Sequence, residues 1–196
     1  PAMTPACIPL RIIQGTTLNK VLRLMQPGRI YRDITSIAAT APVRMTAPGH
    51  GLIGTWPAWF AGVVGLPNLN RDPASARPHM VKVIDQDTLE VNVIDASGAK
   101  PSAGRLIYLP PLDLTGVTGR LLVRPEIGAA PVLELTTANG GLVIDGLGLL
   151  RIHLSAAATV VLGWTRATWD LELTFADGTV TRFAQGEVEV GLEGCP

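Results

Sequence analysis

The chain has 196 residues, with 16 basic and 16 acidic side chains and a formal net charge of zero. That balance leaves no electrostatic footprint for nucleic acid or an anionic membrane, and no apolar run of about 18 residues is present to span a bilayer. Charged residues make up 16%, against about 25% in ordinary soluble domains, and mean hydropathy is +0.31. The apolar excess reads either as a core extended by contacts with neighbouring subunits or as an Ala-, Gly- and Pro-rich composition of the kind a GC-rich genome encodes. The partners expected are proteins.

The chain opens without a basic segment followed by an apolar stretch, so no secretory leader is expected. Pro1 reads as the product of methionine removal or as a cloning scar. Cys7 and Cys195 lie near opposite ends and match no metal or redox spacing. Two free thiols in a reducing cytoplasm are expected, with a bond between them left open should the first and last strands be neighbours.

Residues Ile8 to Met25 read as a hairpin of two strands, IPLRII and LNKVLRLM, broken at Gln14, Gly15 and Thr16, with a further turn at Pro27 and Gly28. Val43 and Met45 belong to a strand that ends in a turn at Pro48, Gly49, His50 and Gly51. The run PNLNRDPASARP, Pro67 to Pro78, is proline-rich and polar and reads as a surface loop. MVKVID and TLEVNVID form a hairpin across Gln86 and Asp87, with Leu89, Val91 and Val93 on one face.

From Leu112 to Gly146 the period is two. Leu121 and Val123 alternate with Arg120, Leu122 and Arg124, and Leu133 and Leu135 with Val132, Glu134 and Thr136. Asn139, Gly140 and Gly141 then reverse the chain into Leu142 and Ile144, which predicts a three-stranded meander with one dry face. Leu150, Ile152 and Leu154 make another strand, and Ser155 is placed to cap a short helix from Ala156 to Val161. Trp169, Leu171, Leu173 and Phe175 form an apolar stripe ending at Asp177-Gly178, a strong hairpin signal. On the returning strand Phe183 is apolar on odd numbering, and Val188 and Val190 on even, which predicts a β-bulge near Gln185 and Gly186.

The segments DLTGVTGRLLVR, LELTTANGG and WDLELTFADGTVTRFAQGEVEV, in that order, resemble the immunoglobulin-like β-domain of upper-baseplate and minor tail proteins of tailed bacteriophages. In that family the opening hairpin runs straight into the first of these segments. Here about eighty residues intervene, which implies an insertion. The insert, with ITSIAATAPVRMTAPGHGL, AGVVGLPNLN and MVKVIDQDTLEVNVID, is similar to a small β-barrel module recurrent in phage tail proteins and named after the first-catalytic-cysteine half-domain of ubiquitin-activating enzymes. It contains no cysteine, and the loop from Pro67 to Pro78 is longer than the module implies. The expected architecture is therefore all-β, with a discontinuous immunoglobulin-like β-sandwich (residues 1–32 and 109–196) and an inserted small β-barrel (33–108).

Chemistry is sparse. His50, His79 and His153 stand far apart with no metal-ligand spacing and read as loop or solvent-face residues. No G-x-S-x-G elbow is present. Asp85, Asp87 and Glu90 lack the glycine and closing glutamate of a calcium loop. Neither catalysis, a metal nor a cofactor is expected. Trp56 and Phe60 fall on one face of a strand and Trp59 on the other, which reads either as a barrel core with anchors against the host domain or as one exposed aromatic face that meets a protein partner or a sugar. Trp56, Trp59 and Phe60, with Arg71 and Arg77 of the loop, are the candidate partner-contact residues.

The resemblance implies a structural virion protein of the baseplate or tail tip, assembled in the bacterial cytoplasm. It would join the central tail to fibres or receptor-binding proteins, in multiple copies arranged by tail symmetry, without membrane insertion. The alternatives are a carbohydrate-binding β-sandwich and a hydrolase with a carboxylate pair about 5 to 9.5 Å apart.

Overall fold

Alternation of apolar and polar residues becomes extended backbone almost throughout the computed structural model, which describes residues 4–191 and is all-β with one short α-helix. The first strands are β1 (Ala6–Cys7), β2 (Leu10–Ile13), β3 (Leu18–Arg23), β4 (Ile30–Asp33), β5 (Ser36–Ala38), β6 (Val43–Thr46) and β7 (Thr55–Ala61). A 3₁₀ turn at Pro67–Leu69 precedes β8 (His79–Val83), β9 (Thr88–Val91) and β10 (Arg105–Tyr108). Then come β11 (Thr118–Arg124), β12 (Leu133–Thr136), β13 (Leu142–Gly146), β14 (Leu149–Leu154), helix α1 (Ala156–Val160), β15 (Arg166–Thr174) and β16 (Val180–Gly191).

The chain divides into two units, one made of the described residues up to Leu22 together with those from Asp113 onward, the other of Arg23–Leu112. Strand β4, which straddles the boundary expected between residues 32 and 33, pairs antiparallel with β10 inside the second unit.

The first unit is a sandwich. One sheet runs β1–β16–β15–β11–β12, with β2 also paired to β16, and the other runs β13–β14–β3. Their inner faces meet where Gly119 lies against the tips of Leu142 and Leu173, so a side chain at position 119 would have to push those leucines aside. Trp169, Leu121, Leu142, Leu150 and Ile152 are fully buried between them.

The opening pair is not a hairpin. Strand β2 lies parallel to β16, with Leu10 opposite Val188 and Ile12 opposite Val190, while β3 joins the other sheet beside β14. All four of those apolar side chains are buried, so β2 gains more core beside β16 than beside its sequence neighbour. The crossing is pinned by Gln14, whose N–H donates to Gly191 O at 3.0 Å and whose side-chain amide donates to Leu162 O at 2.7 Å.

The expected meander is corrected in the same way. Strands β11 and β12 pair as a hairpin, but β13 leaves for the second sheet and pairs with β14. Asn139 decides this locally. Its Oδ1 accepts from Thr136 N and Gly141 N at 2.8 and 2.9 Å, and its Nδ2 donates to Glu134 O at 3.1 Å. The turn is thereby tied back to β12 instead of leading along its edge.

Helix α1 begins as its sequence implies, with Ser155 Oγ accepting from Ala158 N at 3.2 Å. The bulge on β16 is present but displaced. Leu171 faces Ala184 and Glu172 faces Arg182, so Phe183 is the extra residue, earlier than the Gln185–Gly186 site expected. Phe183 stays with Phe175, ring centroids 6.1 Å apart, and the inward phase resumes at Ala184.

The second unit is one antiparallel sheet, β4–β10–β7–β8–β9–β6–β5, curled into a half-barrel. Ile34 N donates to Gly104 O at 3.0 Å and the next residue, Thr35, donates to Thr46 O at 2.9 Å. The two-residue connection between β4 and β5 thus continues the ladder beside β10 on one side and beside β6 on the other, so the two ends of the strand order follow each other directly in the chain. Trp56, Ala58, Phe60, Val81, Leu89 and Leu106 fill the interior with no exposed surface. Val93 does not share a face with Leu89 and Val91. The strand ends at Val91, Ile94 N turns back to Val91 O at 3.2 Å, and Val93 is 82% exposed at the turn.

Candidate functional site

Strand β7 settles the aromatic question by its pleat. Trp56 and Phe60 point inward and are 0% exposed, so neither presents surface to a partner, which corrects their expected role. The Trp56 indole N–H donates to Leu109 O at 2.9 Å, giving the buried ring its one polar partner. Trp59 points outward and is half-buried. Its indole donates to Ala76 O at 2.7 Å, and the Arg29 guanidinium lies 6.0 Å from its ring centroid.

Arg71 and Arg77 belong to the loop that leans on Trp59. Arg71 Nη1 donates to Arg77 O and Pro78 O at 3.0 and 3.2 Å, and Arg29 donates to Pro73 O at 2.8 Å. Asn70 copies a strand partner, accepting from Val63 N and donating to Val63 O at 2.9 and 2.8 Å. Leu69 is fully buried beneath. The loop is therefore anchored, and Arg77 is its exposed cation.

The outward face of β7 and β8 carries a hollow of about 430 Å³, lined by Thr55, Arg71, Pro78, Met80, Lys82 and Val93 among others. Thr55 sits opposite Lys82 in the ladder. Lys82 also faces Glu90 across β9, but that carboxylate is taken by Arg44 at 2.7 Å. Among the described residues neither Arg71 nor Lys82 has an ion-pair partner. Sequence reasoning passed over Met80, although a methionine two residues from a lysine on a strand's polar face is the signal that would have found it.

Two histidines expected on loops or solvent faces are buried in this unit. His50 and His79 are each 2% exposed. His50 Nδ1 accepts from Leu52 N at 3.0 Å, so the ring proton sits on Nε2, which has no partner. His79 Nε2 donates to Leu69 O at 3.0 Å, leaving the Nδ1 lone pair unpartnered. Burial pulls both below the ordinary histidine range. Asp85 and Asp87 oppose this at His50, and the Arg71 charge adds to it at His79.

On the sandwich, a hollow of about 470 Å³ is lined by Cys7, Arg124, Ile127, Thr168, Asp170 and Gln185 among others. Arg124 binds Asp170 at 2.6 Å and Arg182 binds Glu172 at 3.0 Å, so its charges are spent internally. Cys7 is exposed, while Cys195 and any bond it makes lie outside the described residues. His153 Nδ1 contacts Asn19 Oδ1 at 2.8 Å, and Asn19 also receives Arg151. Among the described residues no group of three His, Cys, Asp or Glu side chains is placed to hold a metal ion.

Comparison with protein-family models and with curated proteins found no match to this chain.

Proposed function

We propose that the chain is a structural virion protein of a tailed phage, part of the baseplate or tail tip, connecting the central tail to fibres or receptor-binding proteins. The observation that supports this most is the way the chain leaves a sandwich at Leu22, builds a complete curled sheet, and returns at Asp113. That organisation agrees with an opening segment separated by an insert from the segments that resemble the tail-protein domain. Two β-units on one chain offer separate faces to two neighbours, which a connector needs. The sugar-binding alternative, which places Trp56 or Trp59 on an open face, loses Trp56 to the interior and keeps only Trp59, half-buried with its indole N–H given to Ala76 O.

The test is mass spectrometry of purified virions from the strain that carries the gene. Peptides of the chain at a fixed ratio to tail-tube protein are expected. Recovery of the chain in the cell lysate alone, with none in the particles, would overturn the proposal.

A further inference from the structure

The neutral chain hides an uneven distribution of charge. Residues 23–112 carry nine basic side chains and six acidic ones. Of the basic ones, Arg44 and Arg105 are paired with Glu90 and Asp33. Arg29 and Arg71 spend hydrogen bonds on loop carbonyls; Asp72 of the same loop lies close enough to feel the Arg29 charge, and Arg71 has no ion-pair partner among the described residues. With Arg77 and Lys82 they outnumber Asp72 and leave the loop side of the half-barrel net cationic.

The hollow on that side joins Arg71 and Lys82, neither with an ion-pair partner among the described residues, to apolar surface. Met80 is 46% and Val93 82% exposed. Arg71 is held in place by Arg77 O and Pro78 O, so its remaining donors are fixed before anything binds. Lys82 projects from a strand opposite Thr55, and the hydroxyl and amide of Thr55 and Asn92 lie in the same lining.

From this we infer that the hollow docks an acidic segment of a protein partner. An Asp or Glu carboxylate would pair with Arg71 and Lys82, and an adjacent apolar side chain would lie on Met80 and Val93. Charge complementarity selects the acidic residue, and the exposed methionine and valine select a peptide over a glycan, because no accessible aromatic ring lines the hollow for a sugar to stack on. Arg anchors beside apolar surface are the usual composition of an interface centre. The identity of the partner as a tail protein rests on the proposed function, but the chemistry of the site does not.

The full chain is titrated by fluorescence anisotropy with a peptide of alternating Glu and Leu and, separately, one of alternating Lys and Leu. The Glu–Leu peptide is expected to bind more tightly, and to weaken when salt rises from about 50 to about 300 mM. Lys82→Glu is expected to weaken it at least tenfold, whereas Lys100→Glu, an exposed cation elsewhere on the same unit, leaves it nearly unchanged. Val93→Asp supplies the same test from the apolar side should Lys82→Glu fail to fold. Equal affinity for the two peptides, or equal weakening by Lys82→Glu and Lys100→Glu, would overturn the inference. Binding of a polyuronate in place of the peptide, lost in Lys82→Glu, would also overturn it by making this a glycan site. Failure here with the chain present in virions refutes the docking site alone. Peptide binding by a chain absent from virions refutes the tail reading alone.

Discussion

Replacing Gly186 with alanine is expected to lift the amino-terminal strands off the sandwich. The carbonyl of Ile8 passes directly over Gly186, so a Cβ there would collide with backbone and not with a yielding side-chain tip. The same carbonyl accepts the indole N–H of Trp169 at 3.0 Å, and Ile8 N donates to Gln185 O at 2.9 Å. Overpacking a close contact costs about 1–3 kcal/mol, and a buried indole N–H left without its acceptor costs about 1–3 kcal/mol more. A loss of about 3 kcal/mol is expected, or roughly 10–15 °C in the sandwich transition for a unit of this size. Hydrogen exchange by mass spectrometry gives the location. Protection falls at Ile8 and Leu10–Ile13 and is unchanged in the half-barrel. Trp169→Phe removes the donor by itself, and because both changes act through Ile8 O, the double variant costs less than their sum. A Gly186→Ala protein within about 0.5 kcal/mol of the parent, with protection intact at 8–13, would refute the docking of the N-terminal strand on β16.

Trp56→Ala is expected to cost about 3–5 kcal/mol by opening a cavity in the half-barrel, whereas Trp59→Ala, half-exposed on the other face, costs about 1–2 kcal/mol; urea unfolding distinguishes them. Asn139→Ala loses the three side-chain bonds that steer the chain from β12 to β13, and about 1–2 kcal/mol of stability by the same assay. Acid is expected to weaken the half-barrel through His50 and His79. Their folded pKa values lie below the unfolded value of about 6.5, so near that pH and beneath it the unfolded chain takes up protons that the folded chain resists. Stability is complete above about pH 6.5 and falls as pH drops from there toward the lowered folded values. Thermal unfolding at a series of pH values checks this, and a His79→Met variant is expected to lose less on acidification.

Much of the fold was legible wherever a pattern and its turn lie close together. Asp177-Gly178 joins β15 to β16 because Asp177 Oδ1 accepts from Thr179 N at 2.8 Å across a glycine at φ 84°, a local device written in adjacent residues. Ser155 announced α1 in the same way. Period two tells which face of a strand is apolar but not which strand lies beside it. The partner of Leu10–Ile13 is chosen by burial against residues far along the chain, and Leu142–Gly146 pairs with the strand that follows it and not with the one before, a choice that alternation alone leaves open. The bulge at Phe183 was visible as a change of phase, but its position depends on Phe175 and on the passage of Ile8 over Gly186. His50 and His79 were misplaced because a histidine beside glycine or proline looks solvated, and nothing local reveals that Leu52 N and Leu69 O await them. Of the candidate contact residues, the alternation on β7 separated Trp59 from Trp56 and Phe60 correctly without saying which face was the outside.

The measurement that bears most directly on the connector role is the mass of the purified protein by light scattering, alone and mixed with the other proteins of its tail. The account predicts a species that enters a complex of defined mass only when those partners are present. A mass unchanged by any of them would contradict it.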